Sequence, residues 1–236
     1  MELKTLGIIG GMGPAATCDL MEKIISLTAA SCDQEHIHII ADVNTAIPDR
    51  TAAILHGGKD PVPELTASAL RLKKAGAEYL IMPCNTAHYF YDAVAQAAQI
   101  PVLHMPELTA QLLVQAGVRR AGVLATDGTV QSGIYEKALH KNGIEPVYPN
   151  AEHQKLIMRL IYDGVKGGKI APESIPVAEI MDEMRQRGAQ KFLLACTELP
   201  IAFQRLGIVT DCVDPTKVLA HAAVEYAGAQ TTGEAW

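Results

Sequence analysis

The sequence predicts an α/β protein built as two pseudosymmetric domains, each a mostly parallel sheet flanked by helices, with the active site in the cleft between them. Two observations carry this reading. Short apolar runs of strand type alternate along the chain with amphipathic stretches of helix length, the pattern of parallel strands joined by helical crossovers. In addition, a segment occurs twice, 112 positions apart. Ala75-Gly76-Ala77-Glu78-Tyr79-Leu80-Ile81-Met82-Pro83-Cys84-Asn85-Thr86 aligns with Arg187-Gly188-Ala189-Gln190-Lys191-Phe192-Leu193-Leu194-Ala195-Cys196-Thr197-Glu198. A second match, at an offset of 115, pairs Leu6 to Gly13 with Ala121 to Gly128.

Each element follows from local pattern. An apolar run at 5–9 enters Gly10-Gly11-Met12-Gly13, a glycine turn into a helix over 14–30 that tolerates Pro14 in its first turn. Strands near 37–42, 79–83 and 101–104 and helices near 62–75 and 86–98 complete the first half. The second half reads as strands near 121–125, 145–148 and 191–195 with helices near 131–142, 151–167 and 173–187. A strand near 209–213 and a helix near 215–227 close the chain. Val213-Asp214-Pro215 resembles Met105-Pro106, so the last helix is expected to return to the first half. The domains are then 1–106 plus 214–236 and 107–213. The polar tail from Gln230 to Glu234 is expected to be poorly ordered.

Composition narrows the function. A 236-residue chain that is 49% hydrophobic can bury a substantial core. Its net charge is −6, with dispersed acidic residues and no basic footprint, which argues against nucleic acid as a partner. No apolar stretch reaches the roughly 18 to 20 residues needed to span a bilayer, and Met1-Glu2-Leu3-Lys4 leads straight into a strand. A cytoplasmic location, no membrane and a small diffusible substrate are expected. The five cysteines (Cys18, Cys32, Cys84, Cys196 and Cys212) fall in no metal-ligand spacing and read as reduced thiols, with no structural zinc. Cys18 and Cys212 are expected to face the core.

Gly11-Met12-Gly13-Pro14-Ala15-Ala16 fits the G-x-G-x-x-A form of a dinucleotide fingerprint. The fingerprint also requires an acidic residue about 20 positions on at the end of the second strand, where the nearest candidate, Asp42, comes too late, and a nicotinamide cofactor is not expected. What remains is a turn that exposes backbone N–H groups at a helix start, suited to a carboxylate as much as to a phosphate.

Cys84 and Cys196 carry the chemistry. Both stand at the carboxyl end of a strand, where open α/β sheets bind ligands, and both precede a helix N-terminus, which stabilises a thiolate. His88, four residues past Cys84, is placed to assist it if it lies on the same face. Two thiols across a substrate suit one reaction: one removes a proton from carbon, and the other returns a proton to the opposite face of the nearly planar carbanion. With each sulfur roughly 3 to 3.5 Å from that carbon, the two lie about 7 Å apart, too far for a disulfide. Asn85, Thr86, Thr197 and Glu198 follow the thiols directly, as helix caps, as grips for amino and carboxylate groups, or as both. Arg50 and Lys166 are basic residues beside turn-forming sequence, and a guanidinium holds a second carboxylate well.

Taken together, Gly7-Ile8-Ile9-Gly10-Gly11-Met12-Gly13-Pro14, Ile47-Pro48-Asp49-Arg50-Thr51, Met82-Pro83-Cys84-Asn85-Thr86-Ala87-His88, Leu124-Ala125-Thr126-Asp127-Gly128-Thr129 and Ala195-Cys196-Thr197-Glu198-Leu199-Pro200 resemble the aspartate/glutamate racemase family, most closely its aspartate branch. The resemblance implies an amino-acid racemase that needs no cofactor and is usually a homodimer. Carried over by position, it makes Cys84 and Cys196 the acid/base pair and lines the substrate with Met12, Asn85, Thr86 and Thr197. It assigns Arg50 and Lys166 to a side-chain carboxylate and completes the pocket with Thr126. Glutamate or broader specificity on the same architecture stays open, as does a binding module that no longer turns its ligand over.

Overall fold

The computed structural model describes residues 3–208 and 210–233, so Met1, Glu2, Glu234 and the first residue of the strand expected at 209–213 lie outside the described residues. Two parallel sheets form the centre of the molecule. In the first, β1 (Leu6–Gly10) lies between β2 (Ile39–Val43) and β3 (Tyr79–Ile81). In the second, β4 (Arg120–Ala125) lies between β5 (Glu145–Val147) and β6 (Lys191–Ala195), with β7 (Cys212–Val213) beyond β6. Both central strands are almost wholly buried, as expected of parallel strands covered on two faces by helices.

Eleven α-helices lie among the described residues. Those of the first half are α1 (Pro14–Leu27), α2 (Arg50–His56), α3 (Val62–Lys74) and α4 (Tyr91–Ala98). After them come α5 (Met105–Gln115), α6 (Asp127–Gln131), α7 (Ile134–Lys141), α8 (Ala151–Arg159), α9 (Val177–Gln186), α10 (Glu198–Arg205) and α11 (Pro215–Ala227). On α1 the buried side chains are Ala16, Thr17, Leu20, Ile24 and Leu27, a stripe at helical spacing that seats the helix on the first sheet. Cys18 falls off that stripe and is exposed, contrary to the expectation that it faces the core, while Cys212 is only partly buried.

The last helix crosses back. Leu219, Ala220, Ala223, Val224 and Ala227 of α11 pack with Leu6, Ile8, Leu20 and Ile24, and the Tyr79 hydroxyl donates to the Ala223 carbonyl at 2.8 Å. Helix α5 makes the reciprocal crossing, placing Ala110 and Leu113 against Ala121 and Val123 of the second sheet. The first sheet is therefore covered in part by the last helix of the chain, and the second by the helix that joins the two sheets.

Several elements differ from the sequence pattern. The strand expected at 101–104 is reduced to one bridge between Val102 and Leu80, although Leu80 still donates to the Pro101 carbonyl and Leu103 to the Leu80 carbonyl. The helix expected over 86–98 begins as a 3₁₀ turn, Thr86–Phe90, before α4. The helix expected near 131–142 is α7, which starts after Gly133 (φ 66°), and the short α6 ahead of it was not expected. The helix expected over 151–167 is α8 followed by one π-helical segment, Leu160–Lys166. The helix expected at 173–187 starts later, after a 3₁₀ turn and Pro176. The tail is tied down: Ala29 donates to the Gln230 carbonyl and Thr232 to the Leu27 carbonyl, each at 2.9 Å. No helix among the described residues is long and apolar enough to cross a membrane.

Candidate active site

The site forms where the strand ends of the two sheets meet. Cys84 follows β3 after Met82-Pro83, and Cys196 follows β6 directly; they are 6% and 7% exposed and line one cavity. With them stand Met12, Arg50, Asn85, Thr86, Thr126, Lys166, Thr197 and Glu198, so of the residues singled out for the site from the sequence all but His88 are brought together. The cavity itself measures only ≈ 10 Å³, room for about one water. It adjoins a vestibule of ≈ 300 Å³ walled by Pro14, Ala15, Val165 and Ile201, with Met12, Arg50, Lys166 and Glu198 common to both. A ligand larger than a water reaches both thiols only when the cleft widens.

Backbone geometry delivers several of these groups. Gly11 has φ of +91°, and a Cβ there would collide with the backbone of Asn44, so glycine alone fits the turn that points Met12 into the cleft. The turn's first N–H is already used: Gly11 donates to the Thr17 hydroxyl at 3.0 Å. Asp49 caps α2 by accepting from Ala52 at 2.7 Å, and that cap holds Arg50 at the first helical position. The Arg50 guanidinium, 9% exposed, donates from Nη1 to the carbonyls of Pro48 (2.8 Å) and Ile47 (3.3 Å). Its Nε is buried with no partner among the described residues. Burial works against this cation, but the neighbouring Cys84 sulfur, Asp49 and Tyr162 together offset it and raise the guanidinium's already high pKa.

Around Cys196 the charges are reversed. Its S–H donates to Glu198 Oε2 at 3.0 Å, and the Thr197 hydroxyl donates to the same oxygen at 3.2 Å. Lys166 Nζ lies 3.6 Å from the other carboxylate oxygen. Burial, and then the Glu198 charge, push the Cys196 thiol well above the usual cysteine range. Lys166 is held protonated: burial opposes its charge, while Glu198 and both thiols favour it.

The halves are joined beneath the thiols by hydroxyls. Thr86 Oγ1 lies 2.8 Å from Thr129 Oγ1 and 3.1 Å from Thr126 Oγ1, all three buried. The Tyr135 hydroxyl donates to Asn85 Oδ1 at 2.5 Å, which leaves the Asn85 amide nitrogen buried and unpartnered among the described residues. His88 does not reach a thiol. Its Nδ1 bonds the Cys84 carbonyl at 2.9 Å and its Nε2 accepts from the Met105 N–H at 3.2 Å, so it braces the backbone under the cysteine instead. Burial, and then His104, lower its pKa to about 3, and the ring is neutral.

Three lining residues were not singled out from the sequence: Asp49, Thr51 and Tyr162. Asp49 and Thr51 flank Arg50, so adjacency was an available signal. Tyr162 had none, because it reaches the site through the π-helical segment. Its ring lies under Lys166 Nζ at 4.9 Å, and its hydroxyl stands 3.5 Å from both Asp49 and Thr51. No group of His, Cys, Asp and Glu side chains among the described residues is arranged to hold a metal ion.

Comparison with known proteins identifies the family and the fold. Residues 9–223 match the family described as Asp/Glu/hydantoin racemase. The chain is 33% identical to an aspartate racemase of Picrophilus torridus, covering 98% of this chain and 97% of that one, with a TM-score of 0.85. It is 25% identical to an aspartate racemase homologue of Pyrococcus horikoshii, with a TM-score of 0.78 over 96% of this chain and all of the other. A broad-specificity amino-acid racemase of Bacillus subtilis is 27% identical over 93% of this chain and 96% of its own length.

Proposed function

The chain belongs to the Asp/Glu/hydantoin racemase family, and from that premise we propose that it interconverts L- and D-aspartate by a two-base reaction at the α-carbon, without a cofactor. The observation that carries the proposal is the pairing of two buried thiols in one cavity, one beside a guanidinium and the other hydrogen-bonded to a carboxylate.

Cys84, facing Arg50, takes the α-proton and becomes a thiol. Cys196 gives its proton to the opposite face of the planar carbanion and becomes a thiolate. Charge and protons balance, the stereocentre inverts, and the reverse reaction exchanges the two roles. Arg50 and Lys166 hold the carboxylates of a dicarboxylic substrate, the guanidinium bidentately through groups that include its unpartnered Nε. The free Asn85 amide donates to the α-carboxylate. Thr86, Thr126 and Thr197 shape the pocket floor, and Met12 closes its side. A homodimer is part of the proposal on the family resemblance alone.

A second reading has its own support. The vestibule walls of Pro14, Ala15, Val165 and Ile201 offer apolar room beside the cavity, and one relative is a broad-specificity racemase. A methylene more or less in such a pocket is worth about 1–3 kcal/mol, so aspartate and glutamate differ by degree.

The test is a proton NMR time course of L-aspartate in D₂O with purified protein and no added cofactor, run with chiral analysis. Loss of the α-proton signal together with D-aspartate supports the proposal. Faster exchange of glutamate or an apolar amino acid selects the second reading. No exchange of any amino acid, with binding retained, leaves a non-catalytic binding module.

A further inference from the structure

We propose that Glu198 is a positioning residue that keeps the mobile proton on Cys196 between turnovers, and is not a ligand of the substrate. This rests on the two-thiol reading above. The sequence placed Glu198 among groups that grip the substrate, yet its carboxylate is already engaged on both oxygens. Oε2 accepts from the Cys196 S–H and the Thr197 hydroxyl, and Oε1 faces Lys166. At 6% exposure it has little room to turn elsewhere.

The two halves differ at this point. The residue two positions past Cys84 is Thr86, whose hydroxyl is taken by Thr126 and Thr129; two past Cys196 stands a carboxylate. A carboxylate accepts an S–H hydrogen bond but repels a thiolate, so it stabilises only one protonation state of its neighbour. Lys166, at the end of the π-helical segment, acts in the other direction and makes the transient Cys196 thiolate tolerable. The titratable and charged groups that face Cys196 are Glu198, Lys166, the Cys84 thiol and the hydroxyls of Tyr162 and Tyr135, with Arg50 lining the same cavity.

A kinetic consequence follows. Racemisation has an equilibrium constant of one, so kcat/KM is equal in the two directions. The enantiomer that binds the resting form, with the proton on Cys196, then shows the lower KM and the lower kcat. Removing the Glu198 charge brings the two KM values together.

The decisive experiment is the pH dependence of iodoacetamide alkylation at Cys196, followed in its tryptic peptide by mass spectrometry on the full chain without substrate. In the unaltered protein the midpoint is expected above the ~8.5 of an ordinary cysteine. Glu198→Gln keeps the shape, removes the charge and leaves Lys166 unopposed, so the midpoint falls by about one pH unit or more. Adding Lys166→Met raises it again. A midpoint at or below ~8.5 in the unaltered protein overturns the proposal with no variant needed. An unchanged midpoint in a folded Glu198→Gln chain overturns it as well. The readout does not require turnover. If no amino acid is racemised, the midpoints still decide the role of Glu198; if racemisation holds and the midpoints do not move, only this assignment falls.

Discussion

Cys84 and Cys196 leave equivalent strands at equivalent places, but the surroundings of the two sulfurs are opposite in sign. Cys84 has the Arg50 guanidinium against it and a neutral histidine bracing its carbonyl. Cys196 has the Glu198 carboxylate on its proton, and the residue four positions on is Pro200, inside α10. A duplicated backbone thus presents two thiols symmetrically to a substrate, while the side chains around them divide the labour. In the proposed racemisation, backbone symmetry serves substrates that are mirror images, and the electrostatic asymmetry is expected to decide where the proton waits.

The largest test of that division removes one thiol at a time. Cys84→Ser and Cys196→Ser are each expected to lower kcat for racemisation by about 10³–10⁴, the upper range for loss of a general acid or base. In D₂O each is expected to keep slow α-proton exchange for one enantiomer only, and for opposite enantiomers in the two variants. Exchange of both enantiomers by one variant would break the two-base scheme.

His88 belongs to the Cys84 half alone and is read through stability. Its pKa is about 3 when folded and near 6.5 when unfolded, so the unfolded chain takes up the proton first. The contribution of the neutral ring is complete above pH ~6.5 and is lost as the pH falls from there toward 3. Between pH 7 and 4.5 this costs about 3 kcal/mol. Urea unfolding is expected to show that slope in the unaltered protein and a shallower one in His88→Gln, which is also less stable at pH 7.

Arg50→Lys tests the guanidinium on the substrate side. Loss of the fork is expected to cost about 2–3 kcal/mol, or some 30- to 150-fold in kcat/KM for acidic amino acids, with a far smaller effect on any neutral substrate. Thr86→Val removes the two hydroxyl contacts that join the halves but leaves Thr126 and Thr129 bonded to each other, for about 1 kcal/mol of unfolding free energy. Tyr162→Phe gives the smallest effect, under about 1 kcal/mol, because both its hydroxyl contacts lie at the 3.5 Å limit.

How much of this was legible beforehand depends on the range of the interaction. Strand periodicity and the repeat around Cys84 and Cys196 are local signals, and they gave two parallel sheets with a thiol at the end of a strand in each. Arg50 and Lys166 were visible only as basic residues near turns until a family resemblance singled them out. The 3₁₀ start at Thr86 was misread as continuous helix, since amphipathic spacing does not report a change in helical pitch.

By itself, then, the sequence determined the fold class, the positions of the two cysteines and the polar residues that follow them, because apolar period, glycine turns and internal repetition are properties of neighbouring residues. Only the tertiary structure decided the rest. It brought Tyr162 to the cleft through a π-helical segment, turned His88 away from the thiol to the Cys84 carbonyl, and set Arg50 beside one sulfur and Glu198 with Lys166 beside the other. Charge acts through space across a buried cleft, and no spacing along the chain records which charges a fold will bring within a few ångströms of each other.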